Sequence, residues 1–178
     1  MKISQLIAIV FLAALQQSFA QQSTDNKKQI LNILDIYSES VIKRDSIAFY
    51  SLFNDGTVTW CAAVKDRSQS KRNQAKGTYP AESNYFSSSY KGFLRSLFRH
   101  QSTEDKFDAV KIIEDGTVAS VTMDYSFWAD RKMTNWGCKY LSLIKKDGKW
   151  KITSVIYSLE LTEYFEQPTL KERQKLKN

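Results

Sequence analysis

The sequence has little of the chemistry that metal and covalent sites require. It contains one histidine, His100, and two cysteines, Cys61 and Cys138, among 178 residues. One histidine cannot supply clustered zinc ligands, and two cysteines are too few for a disulfide framework. We therefore predict no metal and no cofactor. Cys61 and Cys138 could form one bridge in an oxidising compartment, but we expect free thiols because their strands need not be neighbours.

An apolar run of about 20 residues, the length needed to span a bilayer, is also missing. The run at 6–15 has ten apolar residues, follows Lys2 and precedes Ser18-Phe19-Ala20. A positive start, a short apolar segment and small residues at the cleavage positions are typical of a secretory signal peptide. We predict a signal peptide at 1–20 and an exported protein, either periplasmic or secreted. The alternative is an uncleaved anchor.

Residues 21–178 would form the mature chain, whose length suits one domain. Its charge is one less than the +7 of the full sequence, since Lys2 is the only charged residue removed. Basic side chains gather at 65–76, where they could hold an anionic surface or form a solvated loop. We expect no nucleic acid, because this segment has no interleaved aromatic residues on which bases could stack.

Helical periodicity is clear in two places. The spacing at 27–44 predicts a helix after a linker at 21–26, with an apolar stripe of Ile30, Leu34, Tyr37 and Val41. Asp45 is expected to cap a short second helix with Ile47, Tyr50 and Phe53 inward. A third helix begins near Tyr90, with an apolar stripe of Tyr90, Phe93, Leu94, Leu97 and Phe98.

Period-two alternation predicts strands elsewhere. Residues 57–64 form one strand, with Trp60 on its apolar side. Asp115-Gly116 is predicted as a two-residue hairpin turn. That turn places Val110 opposite Val121 and Ile112 opposite Ala119.

Asp147-Gly148 is predicted to form a second hairpin turn of the same kind. It places Leu143 opposite Ile152, and on the other face Cys138 opposite Tyr157 and Tyr140 opposite Val155. Both faces are apolar, and an exposed apolar face is unusual for a monomer. We therefore predict a homodimer that packs through the sheet. The charged tail at 168–178 is expected to fray.

These elements resemble the nuclear transport factor 2-like superfamily, which includes ketosteroid-isomerase-like proteins and has a cystatin-like cone fold. The similar segments are 50–60, which passes from a helix into the first strand, Asn135-Trp136-Gly137, and the hairpin at 145–152. The resemblance covers about 27–163. It implies an α+β domain at 27–167, in which N-terminal helices pack on a strongly curved antiparallel sheet around an apolar pocket. It also implies frequent dimers, but no particular activity.

Ionisable candidates for catalysis are few. Asp124 could be a buried general base, but its serine and threonine neighbours favour a solvated strand residue. Asp130 is expected to face a turn. His100 could transfer protons, but no partner acid is identifiable and we favour an interaction with a helix end. No serine or cysteine nucleophile has a recognisable setting, so we predict no catalytic residue.

Aromatic side chains are the better candidates for a ligand site. Ligand pockets are mostly apolar, and tyrosine and tryptophan have polar ends that need partners. The predicted pocket residues are Tyr37, Trp60, Tyr125, Trp136, Tyr140 and Tyr157. We expect non-catalytic binding of a small apolar or aromatic molecule in the cone. The alternatives are a small isomerase, dehydratase or hydrolase that uses a pocket Asp or His, and a dimeric interaction module with no pocket.

Cleavage of the signal peptide is directly testable. Protein recovered from outside the cytoplasm should begin at Gln21, because signal peptidase reads the small residues Ser18 and Ala20. N-terminal sequencing and intact mass will check this. Recovery of exported chains that retain Met1 would contradict it.

Overall fold

A long helix and a short one lead into the sheet. The computed structural model describes the backbone of residues 3–77 and 83–175, and the side chains of 21–77, 83–173 and 175. Helix α1 spans Ile3–Lys43 and helix α2 spans Ser46–Ser51. The predicted apolar stripe of α1 is confirmed, since its members are all buried: Ile30, Leu34, Tyr37 and Val41.

Helix α1 begins before residue 27, so the segment 21–26 is helical rather than a linker. Polar side chains of this segment fasten the helix to the sheet. Ser23 Oγ donates to Glu114 Oε1 at 2.7 Å, and Asn26 Nδ2 donates to Glu114 Oε2 at 2.9 Å. These bonds give the first turns of the predicted mature chain a tertiary anchor that hydrophobic periodicity does not reveal.

Asp45 caps helix α2 as predicted, because its Oδ1 accepts from the backbone N–H groups of Ile47 and Ala48 at 3.0 Å. The predicted inward position of Ile47 is wrong, since 84% of this residue is exposed. The helix has six residues and buries Phe49 instead. Phe53 is buried, but it lies beyond the end of the helix.

Six strands form one curved, unclosed sheet in the described residues. The order in space is β2-β1-β6-β5-β4-β3; β1 is parallel to β6, and the other neighbours are antiparallel. The strands are β1 (Thr59–Val64), β2 (Tyr85–Ser87), β3 (Thr103–Glu114), β4 (Val118–Ala129), β5 (Lys132–Lys146) and β6 (Lys149–Leu161). The predicted α+β fold class is confirmed, but the sheet is mixed and not wholly antiparallel as expected, because β1 pairs with β6 in parallel.

Two further helices flank the first strands. Helix α3 (Asp66–Lys76) occupies the basic segment, in which the sequence shows no apolar period. Helix α4 (Tyr90–Leu97) buries Leu94 and Leu97 as predicted, and Ser89 caps its start. Phe98 lies past the helix end and is 61% exposed, so its predicted inward position is wrong.

The first hairpin has a different register from the predicted one. Ile112 lies opposite Val121, and Glu114 lies opposite Ala119. The connection is longer than two residues because Asp115 Oδ1 accepts from the N–H groups of Thr117 and Val118, at 2.9 Å each. A shift of two residues keeps the side chains next to the turn on their predicted face. A β-bulge between Asp108 and Lys111 then reverses the alternation at the start of β3, so Asp105 and Phe107 lie opposite Phe127 and Tyr125 on the concave side.

In the second hairpin, the turn at Asp147-Gly148 and the pairing of Leu143 with Ile152 are confirmed. A register shift between Ser142 and Leu143 then places Tyr140 opposite Ile156 and Lys139 opposite Tyr157. The predicted pairs of this region are therefore wrong by one residue, because one extra residue in a strand reverses the faces beyond it. Val155 and Tyr157 turn to the concave face.

The two cysteines do not bridge each other in this structure. Cys61 and Cys138 are both unbridged. They lie on β1 and β5, which flank β6 on either side. Two strand spacings amount to roughly 10 Å, which is more than a disulfide spans between Cα atoms.

The tail does not simply fray. Residues Leu170–Lys175 form helix α5, and Arg173 Nη1 lies 3.1 Å from Asp124 Oδ2 on the convex face of the sheet. Trp136 Nε1 also donates to the backbone oxygen of Phe165 at 2.8 Å. The C-terminal segment therefore covers part of the convex face, for which the sequence alone indicates a solvated surface or a dimer contact. Residues 176–178 lie outside the described residues.

Gly137 has no room for a side chain. A Cβ atom there would lie 2.0 Å from the backbone oxygen of Ser158 on β6. We expect Gly137→Ala to lower the free energy of unfolding by about 3 kcal/mol, because the two strands would have to separate. Urea unfolding measures this. Gly56→Ala is the control, since the nearest atom is the flexible amide of Asn54 at 3.1 Å. Equal stabilities of the two variants would contradict the prediction.

Candidate functional site

A cavity of about 200 Å³ opens on the concave side of the sheet, between the strands and helix α4. Most of its lining is aromatic or aliphatic, and the half-exposed Phe86 and His100 mark its mouth. The lining residues are Trp60, Phe86, Phe93, Ser96, Leu97, His100, Asp105, Tyr125, Phe127, Asn135, Lys139, Tyr157 and Leu159.

A buried ion pair lies in the wall of this cavity. Lys139 Nζ bonds Asp105 Oδ2, and the two side chains are 4% and 1% exposed. Asp105 lies on β3 and Lys139 on β5, with β4 between them. Lys139 therefore reaches across β4 on the concave face.

Four aromatic rings surround the ammonium group. Its distances to the ring centroids are 4.5 Å for Tyr125, 5.1 Å for Phe107, 5.2 Å for Tyr37 and 5.6 Å for Tyr157. The negative faces of aromatic rings attract a cation, and the attraction is stronger where water is excluded. The rings thus compensate part of the loss of hydration.

Burial shifts the proton affinities of the whole cluster. It raises the pKa of Asp105 and lowers the pKa of Lys139, although each partner opposes the shift of the other. Burial also raises the pKa of Tyr37 and Tyr125 well above the ordinary value, and that of Tyr157 to about 12. The carboxyl and the amine are therefore closer in proton affinity than in water, whereas the phenols remain protonated.

Two polar atoms in this cluster are not fully used. Asp105 Oδ1 and the Tyr37 hydroxyl are buried and make no hydrogen bond of ordinary geometry within the described chain. The two side chains do interact with each other, since Tyr37 acts to lower the pKa of Asp105 and Asp105 acts to raise that of Tyr37. Tyr125, by contrast, donates to Asn135 Oδ1 at 3.0 Å. A carboxylate has about four acceptor positions, so Asp105 could accept a further hydrogen bond from a donor that enters the cavity.

The mouth carries a second ionisable group. His100 Nδ1 lies 3.1 Å from Asp130 Oδ2, and Asp130 Oδ1 accepts from the backbone N–H of Gln101 at 2.6 Å. The hydrogen bond from His100 is the main cause of a lowered pKa at Asp130. His100 thus has a partner acid, which comes from the β4–β5 turn 30 residues away and which the sequence analysis did not identify.

Of the predicted pocket residues, four belong to the interior and two do not. Trp60, Tyr125 and Tyr157 line the cavity, and Tyr37 packs against Lys139 from the helix side. Trp136 lies in a separate cleft on the convex face. Tyr140 is also convex and 48% exposed. Their predicted inclusion is wrong because the register shift of the last hairpin reverses their face relative to Tyr157.

Asp124 lies on the convex face, and the prediction that it is solvated is wrong, since it is buried. Arg173 of helix α5 and the thiol of Cys138 contact its carboxylate, and the thiol is 3.4 Å from Oδ1. Its position excludes it from the concave cavity.

Asp105 and Lys139 are the site residues that the sequence analysis missed. Asp105 stands in the charged run Glu104-Asp105-Lys106, which is typical of a solvated strand end. One signal is present: Lys139 is in phase with Leu141 and Leu143, so period-two alternation places it on their buried face. Within the described residues, no group of three or more His, Cys, Asp or Glu side chains could hold a metal.

No protein-family model and no curated protein matches this sequence. Solved structures do match. One is an NTF2-like protein of unknown function from Shewanella baltica, with 17% identity and a TM-score of 0.52 over 77% of this chain and 95% of that one. The chain has the nuclear transport factor 2-like fold.

Two other similar structures have names that suggest an activity. A protein from Streptomyces avermitilis, named as a candidate dehydratase of the NTF2-like family, has 14% identity and a TM-score of 0.55 over 78% of this chain and 99% of that one. A candidate scytalone dehydratase from Novosphingobium aromaticivorans has 12% identity and a TM-score of 0.54 over 84% and 93%. At these identities the likeness concerns the NTF2-like fold alone.

The ion pair predicts strong energetic coupling between its partners. We expect Lys139→Met or Asp105→Leu alone to lower stability by about 3 kcal/mol, because each leaves one buried charge unpaired. The double variant should lose clearly less than the sum. Urea unfolding of the four proteins gives the coupling. The exposed pair Glu104–Lys106 is the control and should show far weaker coupling. Additive losses at 105 and 139 would contradict the prediction.

Proposed function

We propose that this protein is a small-molecule enzyme of the isomerase or dehydratase type, which binds a mainly apolar ring in the concave cavity and moves protons on it. One observation carries the proposal: ionisable groups lie at both ends of one aromatic cavity. The pair Asp105–Lys139 is in its wall, and His100, held by Asp130, is at its mouth.

The size of the cavity favours a substrate with one ring. Its volume is about 200 Å³. For comparison, an engineered apolar protein cavity of about 150 Å³ accommodates benzene. Trp60 and Phe93 stack with their centroids 4.9 Å apart and offer a flat wall to such a ring. Asp105 Oδ1, which has no hydrogen bond of ordinary geometry, would accept one from a hydroxyl group of the substrate.

The ionisable groups suit general acid–base catalysis, which needs a group within hydrogen-bond reach of the moving proton. Burial raises the pKa of Asp105 and so brings its proton affinity nearer to neutral pH. Asp130 fixes the ring of His100 through Nδ1, which leaves Nε2 for a substrate. The names of the two candidate dehydratases agree with this reaction class.

Binding without reaction, which the sequence analysis favoured, is the second candidate. It is supported by the enclosure of Lys139: an ammonium ion packed against four rings and a carboxylate can be a structural element. The sequence analysis argued against catalysis because it found few ionisable candidates for the pocket. In the structure, Asp105 and Lys139 both line the cavity.

Proton transfer can be tested with a β,γ-unsaturated cyclohexenone, whose conversion to the conjugated isomer raises its ultraviolet absorbance. We expect Asp105→Asn and His100→Ala each to lower kcat/KM by about a hundredfold or more, because each removes a proton-transferring group. Asp147→Asn, in an exposed turn, is the matched control and should keep full activity.

Thermal shift with phenol and the same ketone separates the two candidates. Ligand at 100 times its dissociation constant stabilises the native state by about 2.7 kcal/mol. A rise in Tm with no turnover would favour binding alone. The proposal fails if neither compound raises Tm, or if turnover is the same in wild type, Asp105→Asn and His100→Ala.

We also propose that the protein forms a homodimer and is exported, as the sequence predicts. Tyr140 and Ile156, which lie opposite each other on the convex face, are 48% and 45% exposed and would suit a homodimer contact. Among the described residues, no helix is long and apolar enough to cross a membrane. The anchors of helix α1 at Ser23 and Asn26 would survive cleavage after Ala20.

A further inference from the structure

We propose that Lys139 forms a reversible imine with an aldehyde or ketone bound in the concave cavity. The inference rests on the proposed function and names its substrate class: small ring compounds that carry a carbonyl group. Four features support it, namely the position of the amine, its proton acceptor, the enclosure around it and the shape of the space in front of it.

The amine is placed where a ligand would meet it. Lys139 is a lining residue of the cavity, and only 4% of its side chain is exposed. Most lysines keep the ammonium group in water, because its desolvation is costly. A lysine that is buried against a cavity is thus in the setting where lysines act as Schiff-base nucleophiles.

Asp105 supplies the proton acceptor that such a lysine needs. An ammonium ion has no lone pair, so it must lose a proton before it can attack a carbonyl carbon. Asp105 Oδ2 already accepts a hydrogen bond from Nζ. Burial lowers the pKa of Lys139 and raises that of Asp105, so the neutral amine and carboxylic acid are closer in free energy to the ion pair than they are in water.

Each chemical step balances within this pair. The ammonium proton passes to Asp105, and the Nζ lone pair attacks the carbonyl carbon while the C=O π electrons move to oxygen. Asp105 protonates that oxygen and then takes one proton from nitrogen, which gives a neutral carbinolamine. Asp105 protonates its hydroxyl, and the group leaves as water while the nitrogen lone pair forms C=N. The iminium ion then faces the Asp105 carboxylate, as the ammonium did.

The lining defines the carbonyl compounds that fit. The rings of Tyr125 and Tyr157 lie 4.5 and 5.6 Å from Nζ, and these rings would hold an iminium as they hold an ammonium. A volume of about 200 Å³ suits benzaldehyde or a cyclohexenone. Lys132, by contrast, is exposed and has no such enclosure.

Reductive trapping tests the proposal. Folded full-length protein is incubated with benzaldehyde and cyanoborohydride near neutral pH, and the adduct is located by peptide mass spectrometry. We expect one adduct per chain, on the peptide that carries Lys139. The Lys132→Met variant should keep it and Lys139→Met should lose it. Asp105→Asn should trap about a hundredfold more slowly, because the proton acceptor is lost.

The mapping on wild-type protein needs no variant, so an unstable Lys139→Met protein does not prevent a result. No adduct, or adducts spread over the surface lysines as in urea-unfolded protein, would overturn the proposal. Turnover of the cyclohexenone without trapping would refute the imine and leave the proposed function standing. Trapping at Lys139 without turnover would support the imine and refute proton-transfer catalysis.

Discussion

The contact between Lys139 and Asp105 is the constraint around which the concave side of this sheet is built. An ammonium and a carboxylate each lose several kcal/mol of hydration when they leave water, and their attraction repays this only if the geometry is good. Here the two groups are on strands that are not neighbours, so β3, β4 and β5 must all keep their register for the pair to meet. The aromatic rings around Nζ add attraction and keep water out.

A purely apolar core would avoid the unfavourable burial of two charges. Replacing a buried ion pair by apolar side chains is often neutral or stabilising. The pair also leaves Asp105 Oδ1 and the Tyr37 hydroxyl without ordinary hydrogen bonds in the described chain. A cluster of buried ionisable groups that lines a cavity is more typical of a functional site than of a core. We therefore place the proposed function on the concave side.

The two faces of the sheet contact different parts of the chain. The concave face meets α1, α2 and α4 and holds the cavity, whereas the convex face is partly covered by the C-terminal segment through Arg173 and Phe165. The register shift in the last hairpin separates them, because it places Tyr157 inside and leaves Tyr140 outside. One extra residue in a strand therefore decides which aromatic side chains can meet a ligand.

Local patterns in the sequence determined helices α1, α2 and α4, strands β1 and β3 to β6, the Asp147-Gly148 turn and the α+β class, because periodicity and turn chemistry act over a few residues. They did not reveal α3, β2 or α5. They also indicated that Tyr37, Trp60, Tyr125 and Tyr157 belong to the interior. The tertiary structure alone decided the register beyond the bulge, the contact of α5 with Asp124, and the meetings of Asp105 with Lys139 and of His100 with Asp130. Those contacts join residues about 30 or more positions apart, and no local pattern specifies which distant strands or turns will meet.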